Sequence, residues 1–366
     1  MFNLIPQYKL WHATGTRPVM PTNITISITR VCQSLCATCD IGLETRQGKV
    51  NPRFEMSKEE WMKFSNKIDW PVNFWIISGG EPFIAKHIDQ VAIDFSRHDT
   101  RYITIPTNAL MPETIAEKVE HILSSVPPRV ELNLNISVDG IGEEHDKIRG
   151  VPGNFRKVER TIELVHKLRK RFDNLNLTTH TVVSNYNIDK VPGIIDGMKK
   201  YPLDNHITEM AEERWELSSM GKPITPTPDR YREVVQDLKL GLKDKDRIRS
   251  GLRKRYYDIA ARTISEKTQV IPCYAGWASC HIAETGLVTA CCTRWIMNGL
   301  MGNLRTSDYD LRSIWVSEKA NAVRQSVKRK ECACPLASAA YTSMLMDPGS
   351  LTTVAGHFLR DSLAGS

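Results

Sequence analysis

Residues 131–138 read Glu-Leu-Asn-Leu-Asn-Ile-Ser-Val, a strict alternation of polar and apolar side chains, and residues 24–29, Ile-Thr-Ile-Ser-Ile-Thr, repeat it. Successive side chains of a strand point to opposite faces, so each run makes a strand with one apolar and one polar face. Four more strand candidates lie at 73–78, 102–107, 175–183 and 206–211. Helical patterns lie between them. Ser57 and Glu60 form a capping box ahead of the stripe Trp61, Phe64 and Ile68. Pro112 opens a helix bearing Ile115, Val119, Ile122 and Leu123, and Asn154 is expected to cap another bearing Phe155, Val158, Ile162 and Val165. Strands alternating with helices predict a parallel α/β sheet with right-handed crossovers. A flat parallel sheet is covered on both faces and reads apolar throughout. A polar face opposite a helix-covered apolar face predicts instead a (β/α)6 partial TIM barrel whose lumen holds a polar ligand.

On this reading the chain has an irregular N-terminal extension (1–23), the barrel (24–226) and a charged helical bridge (227–268). A smaller domain (269–340) follows, made of a hairpin around 278–283 and 287–291 and a helix at 310–327. The tail, 341–366, carries no readable pattern. No stretch approaches the ~20 apolar residues of a membrane span, and residues 1–18 lack the continuous apolar core of a signal peptide. A cytoplasmic protein without a membrane partner is expected. The net charge of +7 is mild. The densest basic run, Lys167 to Arg171, sits at a predicted helix end, where cations suit the helix dipole, so no nucleic-acid partner is expected.

Nine cysteines fall at 32, 36, 39, 273, 280, 291, 292, 332 and 334. Clustered cysteines in a reducing compartment point to metal rather than disulfides. Cys32, Cys36 and Cys39 follow the first strand. The chance of that spacing arising among nine cysteines is on the order of half a percent. Three thiolates on one loop can ligate three irons of a 4Fe–4S cube and leave the fourth open to chelate a ligand. A zinc knuckle completed by His12 or Asp40 is the alternative. Ser78-Gly79-Gly80-Glu81-Pro82 ends the second strand. Its glycines let backbone approach a ligand closely, and its carboxylate can accept hydrogen bonds from an ammonium. Asn108, Ser137, Asp139 and Arg149 lie at or just beyond later strand ends, where α/β ligand sites form. Glu209, Glu213 and His180 lie near late strand positions and are candidates to face a substrate. Cys273, Cys291, Cys332 and Cys334 can fully ligate a second cluster, or zinc, with Cys280 or Cys292 able to substitute for one of them.

The C-x3-C-x2-C loop, the Gly-Gly-Glu one β/α unit later, and Cys273-x12-Gly286-x4-Cys291 with the later pair together resemble the radical SAM superfamily over residues 24–335. The branch resembled carries a C-terminal twitch (SPASM-like) domain. Seven cysteines are assigned in this way, and Cys280 and Cys292 are too few for the second auxiliary cluster of a full SPASM domain. The resemblance implies two 4Fe–4S clusters and S-adenosylmethionine (SAM). The open iron on Cys32, Cys36 and Cys39 would bind SAM, whose cleavage yields methionine and a 5′-deoxyadenosyl radical. Gly79, Gly80 and Glu81 would hold its amino group, Ser137 and Arg149 its carboxylate, and Asn108 the ribose region. Thr38 stands where the family often has an aromatic residue, and Cys332-x-Cys334 where it often has C-x2-C. The enzymes resembled are of the 2-deoxy-scyllo-inosamine dehydrogenase type. The expected function is therefore a two-electron oxidation of a small polar metabolite, with a flavodoxin- or ferredoxin-like electron donor. The alternative is a peptide-modifying maturase. Many of those carry a separate peptide-recognition domain ahead of the barrel, whereas here the first strand already begins at Ile24.

Overall fold

The computed structural model describes residues 4–241, 247–294 and 298–363. Six strands, β1 (Asn23–Thr29), β2 (Phe74–Gly79), β3 (Tyr102–Thr107), β4 (Glu131–Ser137), β5 (Leu175–Val183) and β6 (Asn205–Met210), pair in parallel in consecutive order. The fold is α/β, a partial TIM barrel of six parallel strands followed by a C-terminal hairpin region. The alternation read in the sequence sets its two faces. Ile24, Ile26, Ile28, Leu132, Leu134 and Ile136 are buried with Trp75, Ile77, Ile103 and Ile105 in one core under the helices. Thr25, Ser27, Asn133, Asn135 and Ser137 alternate with them and face the other way.

The helices start where local chemistry dictates. Ser57 and Glu60 exchange both hydrogen bonds of a capping box at the head of Lys58–Asn66. Pro112 opens Pro112–Ser125. Asn154 does not cap its helix. Gly153 takes that position with φ +76°, and the Asp146 carboxylate accepts from the backbone amides of Gly153 and Phe155. Asn154 is instead fully buried, bonding the backbone oxygen of Asn108 and the ring of His145. In the basic run, Lys167 pairs with Glu163, Arg169 with Asp204 and Arg171 with Glu120.

The C-terminal hairpin belongs to the same sheet. Strand β7 (Ser279–Ile282) pairs in parallel with β1, and β8 (Leu287–Thr289) and β9 (Leu300–Asn303) continue antiparallel beyond it. The predicted helix at 310–327 is two helices, Leu311–Trp315 and Glu318–Lys328, because Ser317 caps a new start by accepting from the amide of Ala320. Residues 5–14, expected to be irregular, form a helix, and the unreadable tail forms Ala337–Met346 and Pro348–Leu363. Helices Pro228–Gly241 and Arg247–Glu266 build a second core from Tyr231, Tyr256, Tyr257 and Met344 together with Val183 and Met210 of β5 and β6. The bridge therefore covers the far edge of the barrel sheet. Among the described residues, no helix is long and apolar enough to cross a membrane.

Candidate active site

The loop after β1 is clamped from three sides. Leu35 and Ala37 donate backbone hydrogen bonds to Arg149 and Ile148, and the amide of Cys32 donates to Thr45 Oγ1 at 3.2 Å. On the third side, the amides of Gly80 and Glu81 donate to the oxygens of Thr29 and Val31. A Cβ on Gly79 would lie 2.1 Å from the Thr29 oxygen and one on Gly80 2.4 Å from the Val31 oxygen, and Gly79 holds φ +134°. The two glycines are therefore needed to press the end of β2 against the cysteine loop, an approach any side chain would block.

Cys32, Cys36, Cys39, Gly79, Gly80, Glu81, Asn108, Ser137 and Arg149 all line one cavity of about 250 Å³ at the C-terminal ends of the strands. Among the described residues no group of three His, Cys, Asp or Glu side chains is set to hold a single metal ion. The three sulfurs instead share the rim of a space, which suits a cluster, whose irons each take a separate thiolate. Burial pushes the Cys32 thiol up to about 11 and the Cys39 thiol up to about 12, and raises Cys36 as well. Bare thiolates are disfavoured here, so a positive centre is what such a donor set fits. The candidates to complete a zinc knuckle are otherwise engaged. His12 packs against the rings of Tyr274 and Trp277, and Asp40 pairs with Lys222.

Glu81 is more constrained than the sequence suggests. It is 1% exposed, and its two oxygens accept from the amide of Phe83 (3.2 Å), Thr107 Oγ1 (2.8 Å) and the amide of Asn108 (2.7 Å). It ties the end of β2 to the end of β3, and burial raises it to about 7. Arg149 donates to Asp139 Oδ2 at 3.0 Å, while its buried Nε has no partner. Asp139 Oδ1 in turn accepts from the amide of Val182. Asn108 turns its Nδ2 toward Gln33 Oε1 (3.4 Å) and Cys32 Sγ (3.9 Å).

The opposite wall of the cavity carries His180, Glu209, Glu212 and Arg214. His180 Nε2 and Glu209 Oε2 are 4.0 Å apart. Glu213 is not part of the wall and accepts from the amide of Gly221. Nothing in the sequence singles out Glu212 and Arg214. They sit in the irregular run after β6, where alternating charge reads as an ordinary linker, and they pair at 3.1 Å.

Behind that wall lies the second thiol set. Cys273, Cys291 and Cys334 pack together beside Ala275, Leu336 and Ala339, and Cys273, Cys332 and Cys334 line a narrow cavity of about 40 Å³. Arg294 Nη1 lies 3.6 Å from Cys332 Sγ. Burial raises the thiols of Cys273 and Cys291, and burial followed by the Glu212 carboxylate raises Cys334. Cys280 is buried in the main core with Ile24 and Ile282, and it lines a small cavity together with Cys291 and Cys292. Cys292 is buried in the same cluster as Cys273, Cys291 and Cys334, and its thiol is raised by burial and by Glu216 and drawn down by Arg214.

The superfamily profile for radical SAM proteins matches residues 26–197, and that of the SPASM iron–sulfur cluster-binding domain matches residues 273–335. The chain belongs to the radical SAM superfamily. It is a SAM-dependent enzyme with an iron–sulfur cluster, and its C-terminal SPASM region is an auxiliary iron–sulfur cluster-binding domain. The AdoMet-dependent heme synthase of Methanosarcina barkeri is 24% identical over 325 residues, covering 83% of this chain and 84% of that protein. The sporulation killing factor maturation protein SkfB of Bacillus subtilis is 22% identical over 187 residues, covering 50% of this chain and 42% of that protein. The solved structure of anSMEcpe with bound AdoMet and Cp18Cys peptide shares the fold at a TM-score of 0.60 and 14% identity, covering 95% of this chain and 99% of that one.

Proposed function

We propose that this radical SAM enzyme carries out a two-electron oxidation on a residue of a peptide. Cys32, Cys36 and Cys39 would hold the SAM-binding 4Fe–4S cluster, with SAM between Gly79–Glu81, Asn108, Ser137 and Arg149. Cys273, Cys291, Cys332 and Cys334 would hold one auxiliary 4Fe–4S cluster. When bound, the first cluster supplies the electron that cleaves SAM to the radical which takes a hydrogen atom from the substrate. The observation that carries the oxidation is the wall between the two thiol sets. His180, Glu209, Glu212 and Arg214 face the cavity, and Glu212 acts on Cys334 from that same wall. A substrate there lies between a hydrogen-abstracting site and a buried sulfur site suited to receive its second electron. The His180–Glu209 pair is placed to take the accompanying proton.

Two likenesses support a peptide over a free metabolite: the maturation protein SkfB, and the shared fold along nearly the whole chain with anSMEcpe, whose structure holds a peptide. A tetrapyrrole is the second reading, favoured by the long alignment with a heme synthase. Against it, the arginine of the substrate wall is already paired with Glu212, and Glu209 places a further carboxylate where a macrocycle's acidic side chains would lie. The experiment is anaerobic turnover with SAM and peptides encoded beside the gene. The expected result is peptide lighter by two hydrogens, with substrate deuterium recovered in 5′-deoxyadenosine. Conversion of a tetrapyrrole with no change in any peptide would replace this reading by the second.

A further inference from the structure

A chain of buried hydrogen bonds starts at one residue of the large cavity and ends at another. Asn108 and Arg149 line that cavity. His145 and Asn154 do not line it, and both are fully buried. On the side of β3, the amide of Asn108 donates to Glu81 Oε2 at 2.7 Å, and the Asn108 backbone oxygen accepts from Asn154 Nδ2 at 3.0 Å. Asn154 Oδ1 lies 3.1 Å from His145 Nε2, and His145 Nδ1 accepts from the amide of Asp139 at 3.2 Å. Asp139 Oδ2 then accepts from Arg149 Nη1 at 3.0 Å. His145 and Arg149 stand one turn apart on the helix Glu143–Arg149, and Asn154 opens the helix Asn154–Leu168. Gly140 lets the first of these helices close on the end of β4, since a Cβ there would lie 2.6 Å from the His145 nitrogen.

The chain permits one arrangement of protons. His145 Nδ1 faces a backbone N–H and must accept, so Nε2 carries the hydrogen and donates to Asn154 Oδ1. The Asn154 amide nitrogen is then the donor to Asn108. The arrangement needs a neutral imidazole, and burial, followed by the Arg149 cation, lowers His145 to about 4. β3 and β4 do not depend on this chain to stay paired, because their own ladder runs from Tyr102 and Glu131 to Thr107 and Ile136. Buried polar groups are costly unless every bond is made. Here the bonds join residues of the cavity rather than strands of the sheet.

We propose that His145 and Asn154 are positioning residues for SAM, which hold the Glu81–Asn108 side and the Asp139–Arg149 side of the site at one fixed separation. The proposal rests on the SAM site assigned above. A ligand with an ammonium and a carboxylate on one carbon then meets both sides already spaced for it, and the site is not ordered at the cost of binding. Neither residue touches the ligand. His145 acts through Asp139 and Asn154 acts through Asn108, so both should set affinity for SAM and leave the cleavage step largely alone.

The test uses the reconstituted holoenzyme with SAM as the probe, and compares wild type with Asn154→Leu and His145→Gln. Iron content, the Kd for SAM by calorimetry, and KM and kcat for 5′-deoxyadenosine formation are read. Asn154→Leu breaks the chain at similar volume. It is expected to keep its iron and to raise Kd and KM for SAM roughly tenfold, with kcat within about threefold of wild type. His145→Gln can present an acceptor and a donor in the order of the neutral ring, and is expected to recover most of the affinity. Wild-type affinity in iron-loaded Asn154→Leu would overturn the proposal, as would a fall in kcat with KM unchanged. If Asn154→Leu loses its iron, the shorter Asn154→Ser takes its place with the same expectation, and loss of iron in both would make the pair structural only and overturn the proposal. Unchanged SAM affinity in Glu81→Ala and Arg149→Met would instead overturn the SAM site itself.

Discussion

Cys32, Cys36 and Cys39 stand on the rim of a cavity of about 250 Å³ among Glu81, Asn108, Arg149 and Glu212, whereas Cys273, Cys332 and Cys334 close around about 40 Å³ against Ala339, Ala340 and Ile259. The first set belongs to one loop, pressed into place by glycines and backbone hydrogen bonds. The second gathers Cys273 and Cys291 from the hairpin region and Cys332 and Cys334 from the segment after helix Glu318–Lys328. The difference lies in what each leaves open. Three sulfurs beside a polar space leave room for a ligand that chelates, whereas a set of four sulfurs would leave no iron of a cluster without a thiolate. On the proposed assignment the chain separates the place where SAM would be activated from the place where an electron would be stored. The run after β6, with Glu212 and Arg214, is the partition between them.

The largest expected effect breaks one half of the comparison and leaves the other. The triple variant Cys32→Ala, Cys36→Ala, Cys39→Ala is expected to fall from about eight irons per chain to about four and to lose SAM cleavage entirely. Iron analysis and 5′-deoxyadenosine assay check this, and retention of all the iron would show that the loop holds no cluster. The reverse variant, Cys291→Ala, is expected to make 5′-deoxyadenosine still but little oxidised product, whereas Cys280→Ala and Cys292→Ala keep the full iron content. Wild-type product yield from Cys291→Ala would make the second site structural only.

A smaller effect concerns the polar groups of the open site. Arg149→Met and Glu81→Ala are each expected to weaken SAM binding by about 1–3 kcal/mol, measured by calorimetric titration. Arg149→Met also strands the buried Asp139 carboxylate and is expected to cost about 3 kcal/mol of stability, read from denaturant unfolding. Unchanged SAM affinity in both variants would remove these residues from the SAM site.

The smallest effect lies at the seam joining the barrel to the C-terminal region. Glu60 receives Arg305 Nε at 2.6 Å and Nη2 at 2.9 Å, and also Tyr309 Oη. These bonds, Arg305 first, lower its carboxyl from the ordinary 4.5 to about 2. Because the folded value is depressed, the contribution is complete above about pH 4.5 and is lost as pH falls toward 2. The pair is partly solvated, so Arg305→Gln is expected to cost about 1 kcal/mol at pH 7 and to flatten the loss of stability between pH 4.5 and 2. Equal acid profiles for the variant and wild type would show that the seam adds nothing.

The barrel is legible because its strands state their faces outright. Leu132, Leu134 and Ile136 can be assigned outward and Asn133, Asn135 and Ser137 inward from alternation alone. The cysteine loop and the Gly-Gly-Glu turn are legible from spacing, though the reason for Gly79 and Gly80 is not. It lies in the closeness of the Thr29 and Val31 oxygens, a contact between segments well separated along the chain. The tail is illegible because Ala337–Met346 buries small residues on most sides and so shows no apolar stripe. Strand β9, with Gly302 and Asn303 as its second half, gives no period to read. Glu212 and Arg214 lie outside regular structure, where no periodicity exists to aim a side chain. Their place in the wall depends on how the 211–226 run folds back over the strand ends.

The division of labour between the two sulfur sets can be measured by adding SAM to reduced, reconstituted enzyme and recording which cluster's electron paramagnetic resonance signal changes. Wild type and the Cys291→Ala variant are expected to show a shifted signal on SAM addition, and the triple variant at Cys32, Cys36 and Cys39 to show a signal that SAM leaves untouched. A SAM-induced shift in the triple variant would mean that the closed set has an open iron, and the contrast between the two sites would fail.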